Sequence, residues 1–232
     1  MTADPNPPGS LEQQAEAFAS ELTGTLRAVL PGAPGAVAEV SEAAAGRVVV
    51  MPEADVPLLV DGEHLAYLDA RLRCEIDSRG TWLAVEYSSF ALRAEVDRIP
   101  LLRFDFVRKP NRIPSSHIQV HAHRGALTHL LSQARHPKPH DMSALHIPTG
   151  GARFRPCLED VLQFLVADCG FDALPGWEAA IHEGRARWRR IQAAAVVRDF
   201  PEEAASTLVA LGYEVIAPDP VPAASPKALT AW

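Results

Sequence analysis

The sequence predicts an α+β protein in which a central antiparallel sheet of four to six strands packs against N- and C-terminal helices. Three observations carry that expectation. Apolar and polar residues alternate through residues 71–76, 82–97 and 101–123, the period of strands with one buried face. Apolar residues recur at three-to-four spacing near both ends, over 10–29 and 156–198. There is no βαβ alternation and no glycine fingerprint after a strand, which argues against a dinucleotide-binding unit. The expected organisation is a disordered tail over 1–9, a single domain over 10–217 and a disordered tail over 218–232. Within the domain, 10–46 is helical, 47–124 is sheet and 125–217 is mostly helical.

Taken in order, Ser10 with Gln13 forms a capping box, and Phe18, Leu22, Leu26 and Val29 follow on one helical face. Pro31, Gly32, Pro34 and Gly35 end that helix, and the alanine-rich stretch to Ala45 predicts a second short one. Arg47 to Met51 is β-branched and predicts a strand; Pro57 to Val60 predicts an edge strand, because proline cannot donate to a ladder. Leu72, Cys74 and Ile76 alternate with charged residues, Asp77-Ser78-Arg79-Gly80 turns the chain, and Trp82 to Tyr87 return. Leu92, Ala94 and Val96 continue the meander. Beyond residue 124 the pattern turns helical over Gly125–Arg135, from about Pro156 to Gly170, from Trp177 to Arg198, and from Pro201 to Gly212. In the long helix, Trp177, Ile181, Trp188, Ile191 and Ala195 mark the apolar face, with Arg185, Arg187, Arg189 and Arg190 on the solvated side. A last short strand is expected at Tyr213–Ile216.

At 232 residues the chain can bury a sizeable core. No apolar run approaches the roughly 18 residues that span a bilayer. Cys74, Cys157 and Cys169 include no CxxC pair, which suits reduced thiols in a cytoplasmic protein. The net charge of -7 is unevenly spread: residues 98–155 hold ten Lys/Arg against two Asp/Glu, with seven of the nine histidines. A basic, histidine-rich middle in an acidic chain suits either an anionic partner or pairing with the acidic flanks.

The stretch Leu101–Arg124 concentrates the chemistry. In its second strand His117, Gln119, His121 and His123 fall at every other position and share one face, with Ile118, Val120 and Ala122 on the other. Its first strand puts Leu102, Phe104 and Phe106 on the apolar face and Arg103 and Asp105 on the polar one. Histidine gives and takes protons near neutral pH, so a pair can act as general acid and base. The candidate catalytic set is His117, His121, His123, Asp105 and Arg103. Asp105 would orient an imidazole, and Arg108, Lys109, Arg112 and Arg124 would hold phosphate. No cofactor is expected, although His117, His121 and His123 would also suit a divalent metal such as zinc. His136, His140 and His146 lie in the following loop, where they could close over the sheet as a lid.

An acidic strand pair, then Arg103-Phe104-Asp105, a polar loop and the His117-x-x-x-His121-x-His123 strand resemble the TumE-type toxins of bacterial toxin–antitoxin pairs. The resemblance covers about residues 82–124. It implies a toxin-like component with a cognate antitoxin or regulator, with Arg103, Asp105, His121 and His123 at the matching positions. The expected function is therefore a toxin-like, histidine-based phosphodiesterase or ribonuclease acting on RNA in the cytoplasm, with no membrane partner. A non-catalytic protein whose basic, histidine-rich sheet face binds protein or nucleic acid is the first alternative, and a metal-dependent hydrolase the second.

Overall fold

The computed structural model describes residues 9–40, 46–77, 80–97, 99–122, 125–149 and 151–224. The elements are α1 (Leu11–Val29), β1 (Ala36–Val40), β2 (Arg47–Pro52), β3 (Val56–Val60), β4 (Glu63–Ile76), β5 (Leu83–Ala94), β6 (Pro100–Val107) and β7 (Ser116–Val120). They continue with α2 (Gly125–Gln133), a 3-10 turn at Met142–Ala144, β8 (Ile147–Pro148), α3 (Leu158–Gln163), α4 (Trp177–Asp199) and α5 (Pro201–Ala210). The expected α+β architecture is present, as an N-terminal helix, an eight-stranded antiparallel sheet and C-terminal helices packed against it.

Every second residue of β4 (Ala66, Leu68, Ala70, Leu72 and Cys74) is buried, and the charged residues between them face the other way. That period of two fixes the face. Along one edge of β4, β3 pairs with its first half and β2 with its second, so these two short strands lie end to end. β5 runs along the other edge, with a bulge at Arg73/Cys74. Outward from β5 the order is β6, β7, β8, all antiparallel.

The apolar face is covered by α1, α3 and α4. Ala15, Ala19, Leu22, Leu26 and Val29 of α1 meet Leu158, Val161, Leu162, Leu165 and Ile181 in one cluster with the sheet. Each such leucine contributes about 1.5–3 kcal/mol of burial energy. The Ser10–Gln13 capping box is formed in both directions. The buried side chain of Gln14 ties α1 to the β4–β5 end by accepting from Leu83 N at 2.8 Å and donating to Thr81 O at 3.2 Å. Past α3, the helix widens into a π-helical turn over Phe164–Asp168.

Several expectations are corrected. The sheet has eight strands, not four to six: β1 and β8 are short edge pieces that were not expected, while the expected segments 82–87 and 92–97 form one strand continuous through Ala94. Ala36–Val40 is a strand rather than part of a helix: it pairs along β2 from Ala36↔Pro52 to Val40↔Val48, and partnering overrides alanine's helix propensity. Tyr213–Ile216 is not a strand and lies exposed. Ile191 faces solvent instead of the core, and Arg185 is not on the solvated side but clamps α3. Residues 1–8 of the expected N-terminal tail over 1–9, the stretch 41–45 of the expected second helix, the Ser78-Arg79 turn centre and residues 225–232 of the expected C-terminal tail lie outside the described residues. No described helix is long and apolar enough to cross a membrane.

Candidate functional site

Register brings the polar residues of β6 and β7 together. Asp105 stands opposite His117 and Arg103 opposite Gln119, while Phe104 and Ile118 pair on the apolar side. His121 follows directly, its backbone N–H still donating to Leu101 O at 2.9 Å. Arg103, Asp105, His117, Gln119 and His121 thus share one face, as their alternation predicts.

The chain then folds back over this face. After α2, residues 136–149 cross it and are fastened by Gln119 Nε2 donating to Ser143 O at 2.7 Å. A hydrogen bond between Ser116 and Thr149 and the two-residue ladder of β8 on β7 add to that fastening. The result is an open-sided cleft of about 470 Å³ lined by Arg103, Gln119, His121, His136, Pro137, Lys138, Asp141, Ser143, Ala144 and His146.

Beneath the cleft, Asp105 and His117 are covered: their side chains are only 5% and 2% exposed. His117 Nδ1 lies 3.0 Å from Pro114 O and must donate to it, since a carbonyl only accepts. Its Nε2 is then turned to Asp105 Oδ2 at 3.9 Å, and the same carboxylate oxygen receives Arg103 Nη2 at 2.7 Å. Arg103 also reaches the Tyr87 hydroxyl at 3.3 Å. The His117 ring meets His146 edge-on at 4.7 Å between centroids. Burial, and then the neighbouring His117, hold the His146 imidazole below the ordinary histidine range, so it is neutral at neutral pH. Gln119 Nε2 is 3.5 Å from His146 Nε2, and the His146 ring also makes a hydrogen bond to the backbone of Ala144. Asp105 Oδ1 and His121 Nε2 are buried with no partner in the described structure.

Of the sequence-predicted residues, Arg103 and His121 line the cleft, whereas Asp105 and His117 form its floor and cannot meet a ligand directly. His123 and Arg124 lie outside the described residues. Arg108 belongs to the opposite side of the sheet: it bonds Val85 O at 2.7 Å and lies near Cys74 and Arg155, because even-numbered residues there follow Phe106. Lys109 and Arg112 are exposed in the β6–β7 loop and do not line the cleft. Two of the three loop histidines, His136 and His146, close over the sheet; His140 does not. Lys138, Asp141 and Ser143 were not anticipated, and only their place in a proline- and histidine-rich loop after the histidine strand hinted at them. Among the described residues no group of His, Cys, Asp and Glu side chains is arranged to hold a metal ion.

No family model matches the chain, and no curated protein or solved structure matches it.

Proposed function

We propose that the cleft handles phosphodiesters and that the protein is a toxin-like, histidine-based ribonuclease. The observation that carries this reading is that three imidazoles, those of His121, His136 and His146, share one open cleft with Arg103 and Lys138. His146, kept neutral by its surroundings, is the base: it takes the proton from a ribose 2′-hydroxyl as that oxygen attacks the adjacent phosphorus. His121 is the acid: it gives a proton to the 5′-oxygen as the P–O5′ bond breaks. The products are a 2′,3′-cyclic phosphate and a 5′-hydroxyl end, and a proton has passed from one imidazole to the other. Arg103, held in place by Asp105 and Tyr87, stabilises the charge that builds on the phosphoryl oxygens. Asp105 and His117 act as positioning residues beneath it. A cognate antitoxin, as the TumE-type resemblance implies, would then cover the same face.

The test is cleavage of a labelled RNA pool by the wild type, His121→Ala and His146→Ala, each with and without EDTA. Cleavage that survives EDTA and falls by about 100-fold or more in either variant supports acid–base chemistry by this pair. Loss with EDTA turns the reading to a metal-dependent hydrolase. The buried, unpartnered His121 Nε2 gives some favour to a purely binding role, since it marks an unmet polar contact. RNA binding without turnover, weakened in His121→Ala, would establish that second reading.

A further inference from the structure

The side chains of Gln119 and Asp141 are both fastened to Ser143. Gln119 Nε2 donates to Ser143 O, so the amide cannot be turned the other way and Oε1 remains an acceptor. Asp141 Oδ1 accepts from Ser143 N at 2.9 Å and from the Ser143 hydroxyl, capping the 3-10 turn. Capping uses one carboxylate oxygen only; Oδ2 makes no hydrogen bond among the described residues. The Asp141 carboxyl is held below the usual range by its Ser143 hydrogen bonds, with Lys138 and His121 adding to the effect. It is an ionised acceptor throughout the neutral range.

We infer that Asp141, with Gln119, reads the base of a nucleotide held in the cleft, and that the preferred base is guanine. This rests on the phosphodiester reading above. Arg103 and Lys138 are the cations for phosphate, while Asp141 Oδ2 and Gln119 Oε1 are acceptors that make no hydrogen bond among the described residues. Guanine presents two adjacent donors, N1–H and N2–H, on one edge. Adenine and cytosine present one amine beside a ring acceptor, and uracil one N–H between two carbonyls. Each of these three would set an acceptor against an acceptor and leave polar groups unmatched, the kind of mismatch that discriminates most strongly. The His136 ring and Pro137 supply flat surfaces on which a base can stack.

Isothermal titration of the full chain with 5′-GMP, 5′-AMP, 5′-CMP, 5′-UMP and inorganic phosphate tests the inference. GMP is expected to bind about tenfold more tightly than the other nucleotides. Asp141→Asn keeps a capping side chain and should bring that preference down to about twofold or less. Equal binding of all four nucleotides, or a guanine preference that survives Asp141→Asn, overturns the assignment while leaving the phosphodiester reading in place. Binding of neither nucleotides nor phosphate by folded protein overturns both.

Discussion

His146 stands at the end of a short polar chain, Arg103–Asp105–His117–His146, whose inner members are sealed from water. If it is the base, its lowered titration point means that kcat/KM rises with pH along a limb centred below the ordinary histidine range. His146→Gln should abolish that limb, and a surviving limb would assign the base elsewhere. The same ring bears on stability. Its folded-state value is depressed, so its contribution is present above the unfolded value and lost as pH falls through the folded one. Thermal midpoints recorded from neutral to mildly acid pH should therefore drop less in His146→Gln than in wild type. On the other side of the sheet, Arg155 is sandwiched between the rings of Phe106 (3.8 Å) and Trp188 (4.6 Å) and donates to Ala152 O at 2.8 Å. Burial, helped by Arg108 and Arg153, pulls this guanidinium down to about 9, still charged at neutral pH. Arg155→Ala should cost about 2–3 kcal/mol in urea unfolding through lost stacking. Arg155→Met refills the slot without a buried charge and should stay within about 1 kcal/mol of wild type. Equal losses in both variants would show that the charge, not the packing, matters.

The polar fastening of helix α4 to α3 runs through Arg185, beside the apolar contacts of Ile181. Arg185 donates to Asp160 Oδ1 at 2.7 Å, to Gln163 Oε1, and to Glu159 O at 3.4 Å. Arg185→Ala should cost about 2–4 kcal/mol, because Asp160 and the buried Glu159 carbonyl lose a charged donor. A loss below about 0.5 kcal/mol in chemical denaturation would show that the apolar contacts alone seat α4. How far these elements could be foreseen depended on the length of their periodicity. The box at Ser10, the alternation over 71–76, 101–107 and 117–120 and the stripe Leu158–Leu165 are local signals with local causes, and they predicted the right elements, whereas residues 63–70 of β4 were not foreseen as strand and β5 was expected in two pieces. β1 was missed because Ala36-Val37-Ala38 has no strong preference of its own and becomes a strand only beside β2. Asp61-Gly62 is a hairpin signal that the expected strand at 57–60 left unused: both residues have positive φ, and Asp172 accepts from both of their N–H groups. The cleft was half legible. Alternation placed Arg103 and His121 on one face, but no local pattern says that Lys138, Asp141 and His146 will cross back over it.

Across the molecule, burial is concentrated around β4 and fades towards the C-terminal end. α5 has no buried residue, and Leu208, Val209 and Leu211 are exposed along it. A ten-residue helix in that position adds little to the cooperative unit. Ending the chain after Phe200 keeps the Arg153–Asp199 ion pair and should leave the thermal midpoint within about 2 °C. A larger drop would mean that α5 braces α4. The two edges of β4 differ from the far side of the sheet in a way that hydrogen exchange would register. With β2 and β3 along one edge and β5 along the other, β4 can release its amide protons only when the whole domain opens. The flap over the cleft hangs from a two-residue ladder and a few side-chain bonds, so its amides should exchange through small, frequent openings far below the global unfolding energy. The protein would then be able to lift the wall of its cleft many times over while its centre stays shut.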